Sequence, residues 1–314
     1  QATWQAMEFN AKEVLPQYLI SRQACVDRGD RYTAGLKLAF RDIARNTDMR
    51  SAIGSLVSGF PCGNTLGVFS GATESIAAVG FAFSTIAFDW LVRKRLGGTH
   101  INLFVAEECA VTTAFRIGLQ DYVKPLLGLV FPDHTSAPVW VEFFHLLSKR
   151  RSWRHHWAIT PHERARRMAI LEAIAFKYFG LEVEEAELIL EETDRPVDQL
   201  TNKAFCRSLD QRGFWRIDKS KEPELRHPIL SLVALHDLEL RGLSAFMNQN
   251  DGEGWFIPET LRLSDYGLGY DVRAKVAQPV APRLGPRFLD WQLGEDVSRS
   301  WEECAAHAEL IRRI

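Results

Sequence analysis

Three stretches of the chain gather residue types suited to contacting a polyanion. In the first, Arg41, Arg45 and Arg50, with Asn46 and Thr47 between them, directly follow the apolar run LKLAF. A guanidinium fork can bridge phosphates or take the paired acceptors of guanine, and an asparagine amide matches adenine, so this composition at a strand exit suits a groove-facing loop. An ion pair between Arg41 and Asp42, with the rest a solvated helix start, accounts for the same residues.

The second stretch holds Arg93, Lys94 and Arg95, then Gly97 and Gly98, then Thr99, His100 and Asn102. Cations in a last helical turn meet the negative end of the helix dipole, which is a structural reason for them. Paired glycines allow close backbone approach, and beside three cations they suit a phosphate backbone. A plain helix-to-strand connection is the alternative. Asn64, at a Gly63-Asn64 turn before the apolar run LGVFS, joins these candidate DNA contacts.

The third stretch, Ser148 to Trp157, interleaves Lys149, Arg150, Arg151 and Arg154 with Trp153, His155, His156 and Trp157. Such interleaving can serve nucleic acid by stacking and charge pairing. An exposed linker into the helix that follows is the preferred reading, and the histidines lack the spacing and company of a metal site.

Motifs that would build an active site do not occur. The chain has no G-x-G-x-x-G after a strand, no G-x-x-x-x-G-K-[ST], no H-E-x-x-H and no G-x-S-x-G. It also lacks the Asn-Pro-Pro-Tyr type motif with which amino-methyltransferases hold an extruded adenine. No catalytic residue, metal ligand or cofactor site is therefore expected within this chain. The five cysteines, Cys25, Cys62, Cys109, Cys206 and Cys304, stand singly, which argues against a zinc ribbon or a disulfide framework and fits a reducing cytoplasm.

The elements that must position these residues divide into an α+β part and a mainly helical part. The runs PQYLI, GLKLAF and LGVFS read as strands in a target-recognition domain over 1–135. Ile76 to Val92 reads as one buried core helix rather than a membrane span, because Ser84, Thr85 and Asp89 interrupt it. Residues 136–314 are expected to form a mainly helical domain with an extended tail. Thr160-Pro161-His162-Glu163 is a capping box opening a helix that Gly180 ends, LEVEEAELILEE is an acidic helix, Pro228 to Leu243 is an apolar one and Ser298 to Arg313 closes the chain. Between these last two helices, QNDGEGW, YGLGYD and QPVAPRLGPRF suggest turns and extended segments. With a net charge of −2, any DNA site must be a local basic patch rather than a bulk field.

The order FRDIARNTDMRSAI, PCGNTLGVF, FDWLVRKRLGGTHINLF, GFWRIDKSKEPELRHPILSLVALHDL and LSDYGLGYDVRAKVAQPVAPRLGPRFLDWQ resembles the C-terminal target-recognition region of type II and BREX-like restriction–modification DNA adenine methyltransferases. The resemblance covers nearly the whole chain, although the family pattern places an Asn where this sequence has Ser84 or Thr85. It implies a reader of double-stranded DNA in a phage-defence system. The S-adenosylmethionine-dependent methyltransferase domain would lie in the parent chain or a partner subunit. The start at Gln1 is read as that of a C-terminal piece of a longer protein or the recognition half of a split one. A scaffold or protein-interaction module of a defence complex, presenting the acidic helix Glu182 to Glu192, is the alternative function.

Overall fold

In the computed structural model, the described residues are Ser21, Gln23, Ala24, 35–109, 111–147 and 150–313. The expected strand PQYLI lies outside them. The chain is a mixed α+β structure, mostly helical, with one sheet of three strands and one of two.

Strand β1 (Leu36–Arg41) is central and pairs antiparallel with β2 (Gly54–Ser58) on one side and β3 (Leu66–Ser70) on the other. Side chains alternate across a strand, so Leu36, Leu38 and Phe40 form one buried row, while Lys37 and Ala39 of the opposite row are buried as well. Phe40 lies opposite Gly67, and its ring stacks with Phe69 at 5.6 Å and meets Phe83 at 5.1 Å. A Cβ at Gly67 would lie 2.2 Å from the Phe40 ring, so the glycine makes the seat for that aromatic row.

The apolar run expected as one helix is two. Helix α1 (Thr73–Ser84) and helix α2 (Ile86–Arg95) are bent by 78° about Thr85. Thr85 is extended (φ −99°, ψ 155°), its hydroxyl donates to the Ala82 carbonyl at 2.7 Å, and it caps α2 by accepting from the Phe88 amide. The broken ladder is completed from outside: Glu172 accepts the Ile86 amide at 2.8 Å, and the Arg50 guanidinium takes the Ser84 and Thr85 carbonyls at 3.2 and 2.9 Å. Polar residues that only interrupted a helix in the sequence thus end it. No single helix of the described residues is long and apolar enough to cross a membrane.

The helical part is built on α3 (Leu119–Val130), α4 (Ala137–Glu142), α5 (Pro161–Phe179), α6 (Val183–Ile189), α7 (His227–Arg241) and α8 (Val297–Arg313). Helix α5 packs on α3 and α7, while α8 packs on α4. Thr160 caps α5 by accepting the Glu163 amide, and Gly180 ends it at φ 75°. Glu163 does not close the expected capping box. Its carboxylate is fully buried and holds Arg166 at 2.6 Å, Arg167 at 2.7 Å and Arg287 at 3.2 Å. The buried apolar core is continuous from Leu36 to Ala308 and runs through residue 135 without a break. Beyond α7 the chain carries left-handed glycines, short 3-10 turns and a two-residue ladder, Thr260–Leu261 against Gln278–Pro279.

The stretch ending at Trp157 is not a solvated linker. Trp153, His155, His156 and Trp157 are buried, Trp153 and Trp157 meet edge to face at 5.1 Å, and Arg154 pairs with Glu295 and Glu303. The aromatic members of that pattern are core, and Arg154 serves α8.

Candidate nucleic-acid interface

The loop 41–51 is anchored by one buried carboxylate. Asp89, on α2 and fully buried, accepts from Arg50 Nε at 2.7 Å, Arg93 Nε at 3.1 Å and the Ser51 amide at 3.0 Å. Buried charge is tolerated only when paired and hydrogen-bonded, and these donors meet that requirement.

Arg93, one turn along α2, completes the anchor. Its guanidinium donates to the Asp48 and Met49 carbonyls at 2.7 and 2.9 Å and to those of Arg212 and Gly213 at 2.7 and 3.2 Å. It also lies 4.0 Å over the Phe214 ring. Burial holds its pKa below the ordinary guanidinium value, and the charge of Asp89 opposes that shift only in part. Arg93 and Arg50 were candidate DNA contacts, and the structure corrects both. Arg93 is 2% exposed with its donors committed, and Arg50 is spent on Asp89 and the bend.

Held in this way, the loop meets the segment after α2. The Ala44 amide donates to the Thr99 carbonyl at 3.0 Å, the Ile101 amide to Asp42 at 2.7 Å, and Ile43 and His100 form an antiparallel bridge. Asn46 Nδ2 reaches the Leu96 carbonyl at 3.2 Å, and His100 Nδ1 lies 3.0 Å from Asp42. Arg41 pairs with Asp48 at 3.2 Å, so the expected Arg41–Asp42 pair does not form.

Arg45, on the loop, and Lys94 and Arg95, at the end of α2, are exposed and make no ion pair among the described residues. Thr47, Gly97, Gly98, Thr99 and Asn102 are exposed beside them, and a Cβ at either glycine would meet nothing within 4 Å. Asn64 and Asn102 line an open cavity of about 440 Å³ with Asp42, Gly63 and Ile101. The two sequence stretches therefore come together, with Asn64 brought alongside.

A second cavity, of about 310 Å³, was not anticipated. Trp90 and Lys94 line it from α2, Glu191 and Glu192 from beyond α6, and Asp210, Arg212 and Trp215 from the segment that Arg93 grips. Lys94 lies 5.0 Å over the Trp90 ring, and Arg216 lies 4.1 Å over that of Trp215. The available signal was the basic and aromatic interleaving of Arg212, Phe214, Trp215 and Arg216, the same pattern that proved to be core at 153–157.

Ser231, His227 and Glu172 have the composition of a hydrolytic triad, at 3.4 and 3.3 Å. All are buried, the serine hydroxyl donates to the His227 carbonyl at 2.7 Å, and the glutamate caps α2. The array holds α7 to α5 and has no opening for a substrate. Among the described residues no group of His, Cys, Asp or Glu could hold a metal ion. Compared with known proteins, the chain matches no family model, no curated protein and no solved structure.

Proposed function

We propose that this chain binds double-stranded DNA as the target-recognition part of a restriction–modification adenine methyltransferase. The observation that carries the proposal is the Ile43–His100 bridge, which sets the loop 41–50 beside 96–102. Arg45, on that loop, and Lys94 and Arg95, at the end of α2, are exposed. In this reading those cations lie on phosphates, while Asn64, Asn102 and Thr99 reach base edges. Methyl transfer belongs to another domain or subunit. The Trp90 cavity is lined by Glu191, Glu192 and Asp210 as well as Lys94 and Arg212, and no transfer step is assigned to it.

A second reading, a protein-interaction module, is favoured by one feature of the same face. Ile43, Phe60, Leu103 and Phe104 are about half exposed there, at 56, 62, 47 and 58%. Fluorescence anisotropy of a labelled duplex at several salt concentrations separates the two. A DNA reader loses affinity linearly in log[salt], with a slope of about −0.9 per phosphate contacted. Absence of any isotherm at low salt would reject the DNA reading and leave the interaction module.

A further inference from the structure

We propose that the outer edge of β3 receives an extended, apolar segment of a partner protein carrying lysine or arginine, which joins the three-stranded sheet as a fourth strand. The inference goes beyond the DNA-binding reading and is independent of it.

The edge itself is open. The Asp42 amide donates to the Thr65 carbonyl at 3.2 Å, and antiparallel bonding alternates along a pair, so Gly67 and Phe69 turn their main-chain groups to Phe40 and Leu38 of β1. Val68 and Ser70 turn theirs outward, where they meet no partner among the described residues. The Leu66 amide is already taken by the Gly63 carbonyl at 3.0 Å, which closes the turn into the strand. Unpaired edges are templates for another strand, and sheets commonly guard them with charge or proline. The β3 sequence LGVFS contains neither.

A cavity for side chains lies along the same strand. Lys37 is two residues from Ala39, which pairs with Val68, so Lys37, Leu66 and Val68 share one face of the sheet. All three line the open cavity of about 440 Å³, together with Asp42, Ile101 and Leu103. An added strand sets alternate side chains on each face, so its residue opposite Val68 turns towards this cavity while its main chain bonds to the edge.

Area and charge select the occupant. Phe60, Leu66, Leu103 and Phe104 are between 40 and 62% exposed, which offers on the order of 400 Å² of apolar surface. Each side of a standard interface buries about 800 Å². The patch is therefore too small to hold a second copy of the chain, and it suits a short strand whose affinity comes largely from main-chain hydrogen bonds. Two charged side chains line the cavity. Lys37 is fully buried with its ammonium on the Phe60 carbonyl, whereas the Asp42 side chain, 3.0 Å from His100, is 28% exposed. A ligand meets the carboxylate, which favours a cationic strand over an acidic one.

Titration of the whole chain into the fluorescein-labelled heptapeptide Lys-Thr-Val-Leu-Val-Thr-Lys, followed by anisotropy, tests this. The set is completed by a form with glutamate in place of both lysines and by two N-methylated forms, one methylated at the even-numbered residues and one at the third and fifth. Expected are saturable binding of the basic peptide, weaker binding of the acidic one, and loss of binding in only one methylated form, since only alternate residues face β3. The Val68 and Ser70 amides should exchange more slowly with the peptide bound. Val68→Pro removes an outward donor and leaves the β1 ladder intact, so it should weaken binding about tenfold. Leu103→Ser, which trims the cavity wall, serves as the test variant if Val68→Pro does not fold. No isotherm for the basic peptide, equal loss in both methylated forms, or unchanged exchange at Val68 and Ser70 overturns the strand site. Equal binding of the acidic peptide overturns the cationic preference. A duplex titration of the same protein is read separately, so either the strand site or the DNA reading can fail while the other stands.

Discussion

Asp89 and Arg93 stand one turn apart on the same helix, pair at 3.1 Å, and are both sealed from solvent. Their neighbours Trp90 and Lys94 face a cavity, and Arg95 is exposed. The helix therefore carries structural and surface-facing cations in one run, and substitutions should separate them.

Arg93→Ala leaves Asp89 short of a donor and frees four carbonyls. Removing one partner of a buried pair costs about 3–5 kcal/mol. Urea unfolding should show that loss for both Arg93→Ala and Asp89→Asn. A loss below about 1 kcal/mol would show that the anchor is not structural.

Arg45→Ala with Arg95→Ala should keep the unfolding midpoint, weaken all DNA sequences alike and reduce the salt slope by about 2. Anisotropy at several salt concentrations reads this directly. An unchanged slope removes these residues from the phosphate contacts.

Asn64→Ala and Asn102→Ala should change which sequences are preferred, each by about 1–3 kcal/mol at one base position, with little effect on non-specific affinity. Selection from a randomised duplex pool before and after substitution measures it. Identical selected sites would leave the amides without a reading role.

Gly97 and Gly128 make a contrasting pair. A Cβ at Gly128, inside α3, would lie 2.2 Å from the His156 carbonyl and 1.7 Å from Arg167, whereas one at Gly97 meets nothing within 4 Å. Alanine favours a helix over glycine by about 1 kcal/mol, but a clash with fixed backbone outweighs this. Gly128→Ala should therefore lose about 1–3 kcal/mol. Gly97→Ala should leave stability within about 0.5 kcal/mol and weaken DNA binding if a phosphate approaches the backbone there. Thermal unfolding beside a binding titration distinguishes the two effects.

Acid should loosen the buried clusters around α5. Burial alone raises the Glu253 carboxyl, but the His155 ring 3.9 Å away and the hydrogen bond and charge of Arg287 outweigh it and hold the group at about 2. Glu163 is likewise held far below the ordinary range, its burial overcome by Arg166 and Arg167. A folded-state pKa below the unfolded value of about 4.3 gives stability that is complete above that value and is lost as pH falls towards the folded one. Denaturant midpoints should be flat near neutrality and fall from about pH 4.5 towards pH 2. Glu253→Gln should make that fall shallower, and an unchanged profile would contradict its part in it.

Local signals in the sequence were reliable where they act within a few residues. Thr160 before Pro161, Gly180 after Phe179, the Gly63 turn into β3 and the apolar helix near Pro228 all appear where such chemistry puts them. What long-range partners decide was not legible. Glu163 has the right spacing to close a cap, yet three arginines claim it, one of them 124 residues away. The run of Arg93, Lys94 and Arg95 gave no hint that its first member is buried, because that depends on carbonyls offered by Arg212 and Gly213. Thr85 ends a helix rather than lying inside one, because Glu172 and Arg50 supply the bonds that the bend removes.

Arg93 binds loop, helix and the Arg212–Gly213 strap into one unit, although the strap lies 119 residues downstream. An engineer hoping to transplant the recognition surface would fail by moving 36–102 alone, since the graft would leave behind the Arg212 and Gly213 carbonyls that accept from its central guanidinium. A portable cassette must extend at least through Phe214, and Glu172, which caps α2, is itself paired with His227 beyond it. Within it, specificity is best diversified at the outward amides and cations, with Asp89 and Arg93 kept as invariant framework.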